Sequence, residues 1–245
     1  MSDIPRQIEP EWLDELSPGD PRALRSRRDL RRINALMTNA DIVARELMRN
    51  FRDESPRVIA EIGAGDGAFM VRLAARVATR WKNARVVLLD RQDVVGRDAL
   101  GRFAALGWSA ESATADVFEW LARPAGPIFD VMIANLFLHH FDAARLTALL
   151  SLAAKRTRMF VACEPRRSGL ALAGSRLLGL AGCNDVSRHD AVVSVRAGFD
   201  GEELSALWPA SCGWTLQERA SGLFSHSFVA CRVNGSRIAG QNEWK

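Results

Sequence analysis

Three observations predict an α/β chain built on a doubly wound, mostly parallel seven-stranded sheet that ends in an antiparallel C-terminal hairpin. Short apolar runs alternate with helical patterns from residue 57 to residue 165. Three glycines, Gly63, Gly65 and Gly67, sit between the first run and its helix. Two further strand patterns at residues 213–233 break the alternation. Strands spaced by helices imply a parallel sheet covered on both faces, whose ligands bind beyond the C-terminal strand ends.

Residues 1–20 read as a loose leader with proline and acid. Two helical patterns follow within 21–53: Leu30, Ile33 and Met37 share one face, and Ile42, Val43, Leu47 and Phe51 another. "RVIAEI" (57–62) is the first buried strand, and its helix carries Phe69, Met70, Leu73, Ala74 and Val77. "ARVVLLD" (84–90) is the second strand, followed by a helix through Val94, Leu100, Phe103 and Leu106. "SATAD" (112–116) is a weak third strand before the short helix "VFEWLA". "FDVMIANLF" (129–137) is the fourth, an amphipathic helix spans 142–156, and "TRMFVACEP" (157–165) is the fifth. The expected organisation is a leader and helical lid at 1–53, a main domain at 54–233 and a flexible tail at 234–245.

The bulk numbers narrow the class. At 245 residues, 48% of them hydrophobic, the chain can bury a full core as one domain. The formal charge is only +4, much of it in "PRALRSRRDLRRIN", so the chain is not built to coat DNA. Cys163, Cys183, Cys212 and Cys231 are scattered with no CxxC, which argues against a zinc site or a disulfide framework and suits the cytoplasm. The polar N-terminus is no signal peptide, and no run of about 18 apolar residues suggests a membrane span.

A glycine-rich strand-to-helix turn lets a ligand approach the backbone and meet the free N–H groups of the helix. "GAGDGA" also satisfies the dinucleotide pattern GxGxxG/A, which taken alone is weak evidence. Glu61, two residues before Gly63, does not suit a pyrophosphate, which it would repel, and suits a ligand carrying an ammonium, a sulfonium or water-linked amino-acid groups. Asp90 ends the second strand, where it can take ribose hydroxyls. Asp116 is placed to accept from an adenine amino group beside Val117, and Asn135 ends the fourth strand.

This set, with its motifs in order over residues 57–165, resembles the class I S-adenosylmethionine-dependent methyltransferases. The resemblance implies a Rossmann-like methyltransferase fold and S-adenosyl-L-methionine as cofactor. By position it implies Gly63, Gly65 and Gly67 along the methionine part and Asp90, followed by Arg91, at the ribose. Asp116 and Val117 would border adenine, and Asn135 would lie near the reacting centre. More narrowly, "ANLFLHHF" resembles the ubiquinone/menaquinone-type small-molecule enzymes. "RSRRDLRRIN", "CEPRRS", "SRHDAVVSVRAGF" and "GLFSHSFVA" together resemble bacterial methyltransferases encoded beside polyketide synthases, in secondary metabolism.

Enzymes of this fold that methylate base amines carry (N/D)PP(Y/F) after the fourth strand. Here the position reads Asn135-Leu136-Phe137-Leu138, and the chain has no tyrosine, so a nucleic-acid partner is not expected. Glu164 stands without the clustered carboxylates of metal-assisted catechol enzymes, so no metal is expected either. The expected partner is a small hydroxylated acceptor, aromatic or lipid-like if Leu170–Leu180, Phe137 and Phe141 wall its pocket. O-methylation is favoured, with a histidine to take the hydroxyl proton.

His139 and His140 follow the fourth strand at the ligand end of the sheet, as base or as caps of the next helix. His189 lies in an expected loop beside Asp190, as base or as half of a turn-stabilising pair, and His226 could point inward to the acceptor but reads first as exposed or structural. Glu164 could contact the acceptor, but reads first as paired with Arg166 or Arg167. The basic helix at 22–32 is a solvated face, or a lid bringing Arg28 or Arg32 to the methionine carboxylate, or a contact with an anionic membrane. Stable membrane insertion is not expected. Two rival functions remain at this stage: a nicotinamide-dependent oxidoreductase, and a non-catalytic subunit that binds the cofactor.

Overall fold

The computed structural model describes residues 4–17, 19–51, 55–124, 126–209 and 213–233. Its centre is a seven-stranded sheet in the order β3-β2-β1-β4-β5-β7-β6. The strands are β1 (Val58–Ile62), β2 (Arg85–Asp90), β3 (Ser109–Thr114), β4 (Phe129–Asn135), β5 (Thr157–Pro165), β6 (Trp214–Ser221) and β7 (Ser225–Arg232). The first five are parallel. β7 lies antiparallel to β5, and β6 pairs with β7 at the edge. The expected topology is therefore observed.

Alternation along each central strand supplies two cores. Ile59, Leu88, Val131, Ile133 and Val161 face one cluster, with α3 (Asn39–Asn50), α4 (Ala68–Val77) and α5 (Arg97–Ala105) packed over it. Ala60, Ile62, Leu89, Met132 and Ala162 face the other, under α6 (Val117–Ala122), α7 (Ala143–Arg156) and α10 (Glu203–Leu207). Buried on both faces, these strands read as continuous apolar runs. Helix α2 (Pro21–Leu36) starts with Asp20 as N-cap and proline at its first position, and Asp142 caps α7.

Several boundaries differ from expectation. β3 ends at Thr114, not at residue 116. Asp116 instead caps α6, accepting from the N–H groups of Phe118 and Glu119. β4 ends at Asn135 because Leu136 takes a left-handed φ of 52°, and a short 3₁₀ turn, Leu138–His140, follows. The expected loop around His189 is helix α9 (Asp185–Ala197), started by the Asn184 side chain on the Ser187 N–H. The apolar stretch near 170 forms α8 (Gly169–Arg176) and a 3₁₀ turn, Leu177–Gly179.

The expected loose leader is docked. The Gln7 N–H donates to the Arg196 carbonyl, and Trp12 and Leu13 donate their N–H groups to Asp190 at 2.9 and 3.0 Å. One helical turn, α1 (Trp12–Glu15), forms within this strap. The tail at 234–245 and Cys212 lie outside the described residues. No helix among the described residues is long and apolar enough to cross a membrane.

Candidate active site

A cavity of about 1040 Å³ opens at the C-terminal ends of β1, β2, β4 and β5, roofed by the strap, α2, α8 and α9. Glu61, Gly63, Gly65, Asp90, Arg91, Asp116, Val117 and Asn135 all line it. Gly67 does not.

The three glycines have three different jobs. All have positive φ: 70°, 53° and 76°. A Cβ on Gly63 would stand 2.2 Å from the Phe137 ring, so this glycine makes room for a side chain rather than directly for a ligand. A Cβ on Gly67 would press on Leu88 at 3.1 Å, so this position seats α4 against the sheet. Only Gly65 opens onto empty space. The expected contact of Gly67 with a ligand is thus corrected: it shapes the turn from behind.

Asp90 holds that turn in place. Its Oδ2 accepts from the Gly65 N–H at 2.8 Å and its Oδ1 from the Gln92 N–H at 2.9 Å. Each oxygen keeps a lone pair for a further donor. Glu61 is 1% exposed, and its Oε2 has no hydrogen-bond partner among the described residues. Burial first, then the neighbouring Asp66 and Asp90, push its carboxyl well above the usual range. Asn34, on α2, also lines the cavity with a buried, unpartnered Oδ1. Asn135 accepts from the Asn39 amide at 2.9 Å, and Arg91 pairs with Asp14 of the strap at 3.1 Å.

The basic helix does fold over the cavity, one position off from expectation. Arg27 and Arg31 line it, where Arg28 or Arg32 was expected. Arg27 donates to Gln92 at 2.9 Å, and Arg31 pairs with Asp66 at 2.5 Å.

The histidines separate by environment. His139 is buried between two carboxylates. Its Nδ1 meets Glu164 at 2.8 Å and its Nε2 meets Glu11 at 3.2 Å. Burial alone would strip its proton, but the two carboxylates outweigh burial and raise it to about 9. It is therefore an imidazolium at neutral pH and a poor base. His140, at the cavity wall, is held below the ordinary histidine range, by burial first and then by the charge on His139. His189 does not line the cavity: it stacks on Trp12 at 3.9 Å and bonds Asp190 at 3.0 Å. Its expected base role is corrected to support of the strap. His226 is buried and bonds Glu218 at 2.8 Å, a structural contact at the sheet edge. Glu164 pairs with His139, not with an arginine, whereas Arg167 pairs with Glu203.

Residues 59–159 match a family described as "Methyltransferase domain". That segment, from β1 into β5, is similar to a methyltransferase domain, and it holds the glycine turn, Asp90, Asp116 and Asn135. Solved structures share its fold. The plantazolicin methyltransferase BpumL, in complex with S-adenosylhomocysteine, superposes with a TM-score of 0.62 at 13% identity, over 88% of this chain and 92% of that one. An O-methyltransferase family protein from Burkholderia thailandensis gives 0.60 at 18% identity over 89% of this chain, which spans 61% of that longer one. Magnesium protoporphyrin IX methyltransferase from Synechocystis gives 0.50 at 17% identity, over 80% and 82% of the two chains. A sequence search of curated proteins finds no match.

The cavity's polar groups fit S-adenosylmethionine, the cofactor expected from the sequence. Glu61 and Asn34 offer unpartnered buried acceptors, which are costly unless a ligand brings N–H groups. Gly65 leaves its side of the turn bare, and Asp90 keeps acceptor capacity at the end of β2. Among the described residues, Glu11, His139 and His140 form a cluster with metal-ligating atoms within 4.8 Å of one another. Both His139 nitrogens are already on carboxylates, in an ion triad with Glu11 and Glu164.

Sequence reasoning missed Glu11, Asp14, Asn34 and Phe224 as cavity residues. The signal for the first two lay in "EPEWLDEL", an acidic segment with an aromatic residue at its centre.

Proposed function

We propose that this methyltransferase methylates the oxygen of a small hydroxylated acceptor, aromatic or lipid-like. The observation that carries the reading is the apolar part of the cavity's lining: Met37, Phe137, Phe141, Ala171, Leu178 and Phe224 contribute to it, and of the two histidines that also line the cavity, among the described residues, His140 is the one held neutral. An apolar lining with a neutral imidazole as proton acceptor suits a phenol or a similar hydroxyl on a greasy skeleton.

S-adenosylmethionine supplies an electrophilic methyl group on a sulfonium. Glu61 binds the donor's ammonium, and Asp90, with Arg91 beside it, takes the ribose side. Asp116 keeps its Oδ2 for the adenine amino group, because capping α6 uses Oδ1 alone, and Val117 packs against the ring. Asn135, fixed by Asn39, borders the reacting centre. Phe137 and Phe141, with rings 5.1 Å apart, orient the acceptor and exclude water. His140 takes the hydroxyl proton. Orientation offers up to about 7–11 kcal/mol, and a positioned base about 10²–10⁴ in rate.

We place the enzyme in the cytoplasm, consistent with four scattered cysteines that form no CxxC pair. The test is incubation with methyl-labelled S-adenosylmethionine and an organic-solvent extract, followed by mass analysis. A labelled ether in the apolar fraction, stable to mild base, is expected. Label in nucleic acid, or on nitrogen or carbon, overturns the acceptor reading. No transfer to any extract would instead favour a non-catalytic donor-binding subunit.

A further inference from the structure

The turn carrying His139 and His140 is held by Glu164 from below. This carboxylate, fully buried at the end of β5, accepts the N–H groups of Phe137 and Leu138 at 3.0 Å each and of His139 at 3.4 Å. It also takes His139 Nδ1–H at 2.8 Å, which turns the opposite nitrogen toward the N-terminal strap. There Glu11 waits, 128 residues away in sequence and 3.2 Å away in space. A ring that donates to a carboxylate at each nitrogen must carry both protons.

Glu11 is itself held. Its Oε1 accepts from the Ser194 hydroxyl on α9. Burial works against its charge, yet the hydrogen bond from His139, the nearby imidazoles and Ser194 hold its carboxyl down at about 2. The strap is locked to the same turn by Arg6, which donates to the carbonyls of Phe141 at 2.9 Å and His139 at 3.3 Å.

We propose that Glu11 is a positioning residue of the acceptor site: docking of the strap clamps the His139 ring between Glu11 and Glu164, and this leaves His140 as the imidazole presented to the acceptor. The role in catalysis rests on the oxygen-transfer reading above. The clamp itself rests on geometry.

The charged groups around His140 explain the consequence. His139 lies beside it with ring centroids 4.3 Å apart, Glu11 and Asp14 approach from the strap, and Glu164 lies beneath from β5. Asp14 stands 3.7 Å from its Nδ1 and is itself neutralised by Arg91 at 3.1 Å. An imidazolium held next door disfavours a second positive charge, so the pair splits into one fixed cation and one neutral acceptor. Two adjacent histidines thereby take opposite duties, and the difference is imposed by a segment from the far end of the chain.

Four histidines make the test direct. Protein carrying isotope-labelled histidine is titrated by NMR, with each imidazole assigned by single substitution. In the native protein, His139 is expected to stay protonated until about pH 9 and His140 to lose its proton below 6.5. In Glu11→Gln, which keeps the shape and removes the charge, the proton affinity of His139 is expected to fall about tenfold or more. Calorimetry should give S-adenosylhomocysteine affinity within about threefold of native, because Glu11 bonds His139 and Ser194 and none of the residues assigned to the donor. A native His139 midpoint near 6.5, or an unchanged midpoint in Glu11→Gln, overturns the clamp. The native titration decides even if the variant does not fold. No acceptor is needed, so failure of the clamp and failure of the oxygen-transfer reading are told apart.

Discussion

Replacing Glu61 by glutamine should make the ligand-free protein more stable and the donor bind more weakly. Glu61 is buried on β1 with Oε2 unpartnered among the described residues, and burial, Asp66 and Asp90 raise its carboxyl well above 4.5. The unfolded chain ionises this group near 4.5, while the folded chain resists. Its cost to folding is therefore absent below that pH, grows as pH rises past it, and levels off once the folded group also ionises. Glutamine has the same shape and no charge. Glu61→Gln should match the native protein at pH 4 and melt at a higher temperature at pH 7–8. Binding moves the other way. A hydrogen bond to a charged group contributes about 1.5–3 kcal/mol, so losing the carboxylate–ammonium contact should weaken S-adenosylhomocysteine by about 10–150-fold. The control is 5′-methylthioadenosine, which lacks the amino-acid part and should bind both proteins alike. Calorimetry with the two ligands reads the difference. Unchanged S-adenosylhomocysteine affinity in folded Glu61→Gln, or an equal loss for both ligands, would refute the assignment.

Other substitutions separate the remaining parts of the site. Asp90→Asn places an amide N–H₂ against the N–H of Gly65 or Gln92, so both adenosine ligands should weaken by about tenfold or more in calorimetry. Gly63→Ala adds about 1–2 kcal/mol of left-handed backbone strain to a 2.2 Å clash with Phe137. Gly65→Ala meets no protein atom within 4 Å, so thermal unfolding should rank Gly63→Ala well below Gly65→Ala. His140→Ala should cut labelled methyl transfer about 10²–10⁴-fold with donor affinity intact, while His189→Ala stays within about tenfold.

The sheet was legible because its central strands are apolar on both faces and its helices are amphipathic. β3 was the exception. "SAESAT" is the edge strand, mostly exposed and with no apolar alternation, and only its pairing with β2 defines it, so its end was misjudged by two residues. Glu61, Asp90 and Asn135 were legible as groups at the ends of strands. The split of labour among the glycines was not, since Gly63 answers to Phe137 and Gly67 to Leu88, contacts that no spacing encodes. The strap was read as loose because its proline and acid lack a repeating apolar face. What orders it is long-range: Glu11 on His139, Trp12 on His189 and Asp190, Arg6 on Phe141. The same blindness hid which histidine is neutral, a property set by carboxylates distant in sequence.

Titration of the purified protein with S-adenosylhomocysteine and, separately, with NADH asks most directly whether the glycine turn, Glu61 and Asp90 together grip a sulfur-linked adenosine. One-to-one heat and a raised melting temperature with the former, and neither with the latter, is the expected outcome. Stabilisation by NADH with silence from S-adenosylhomocysteine would contradict the account at its root.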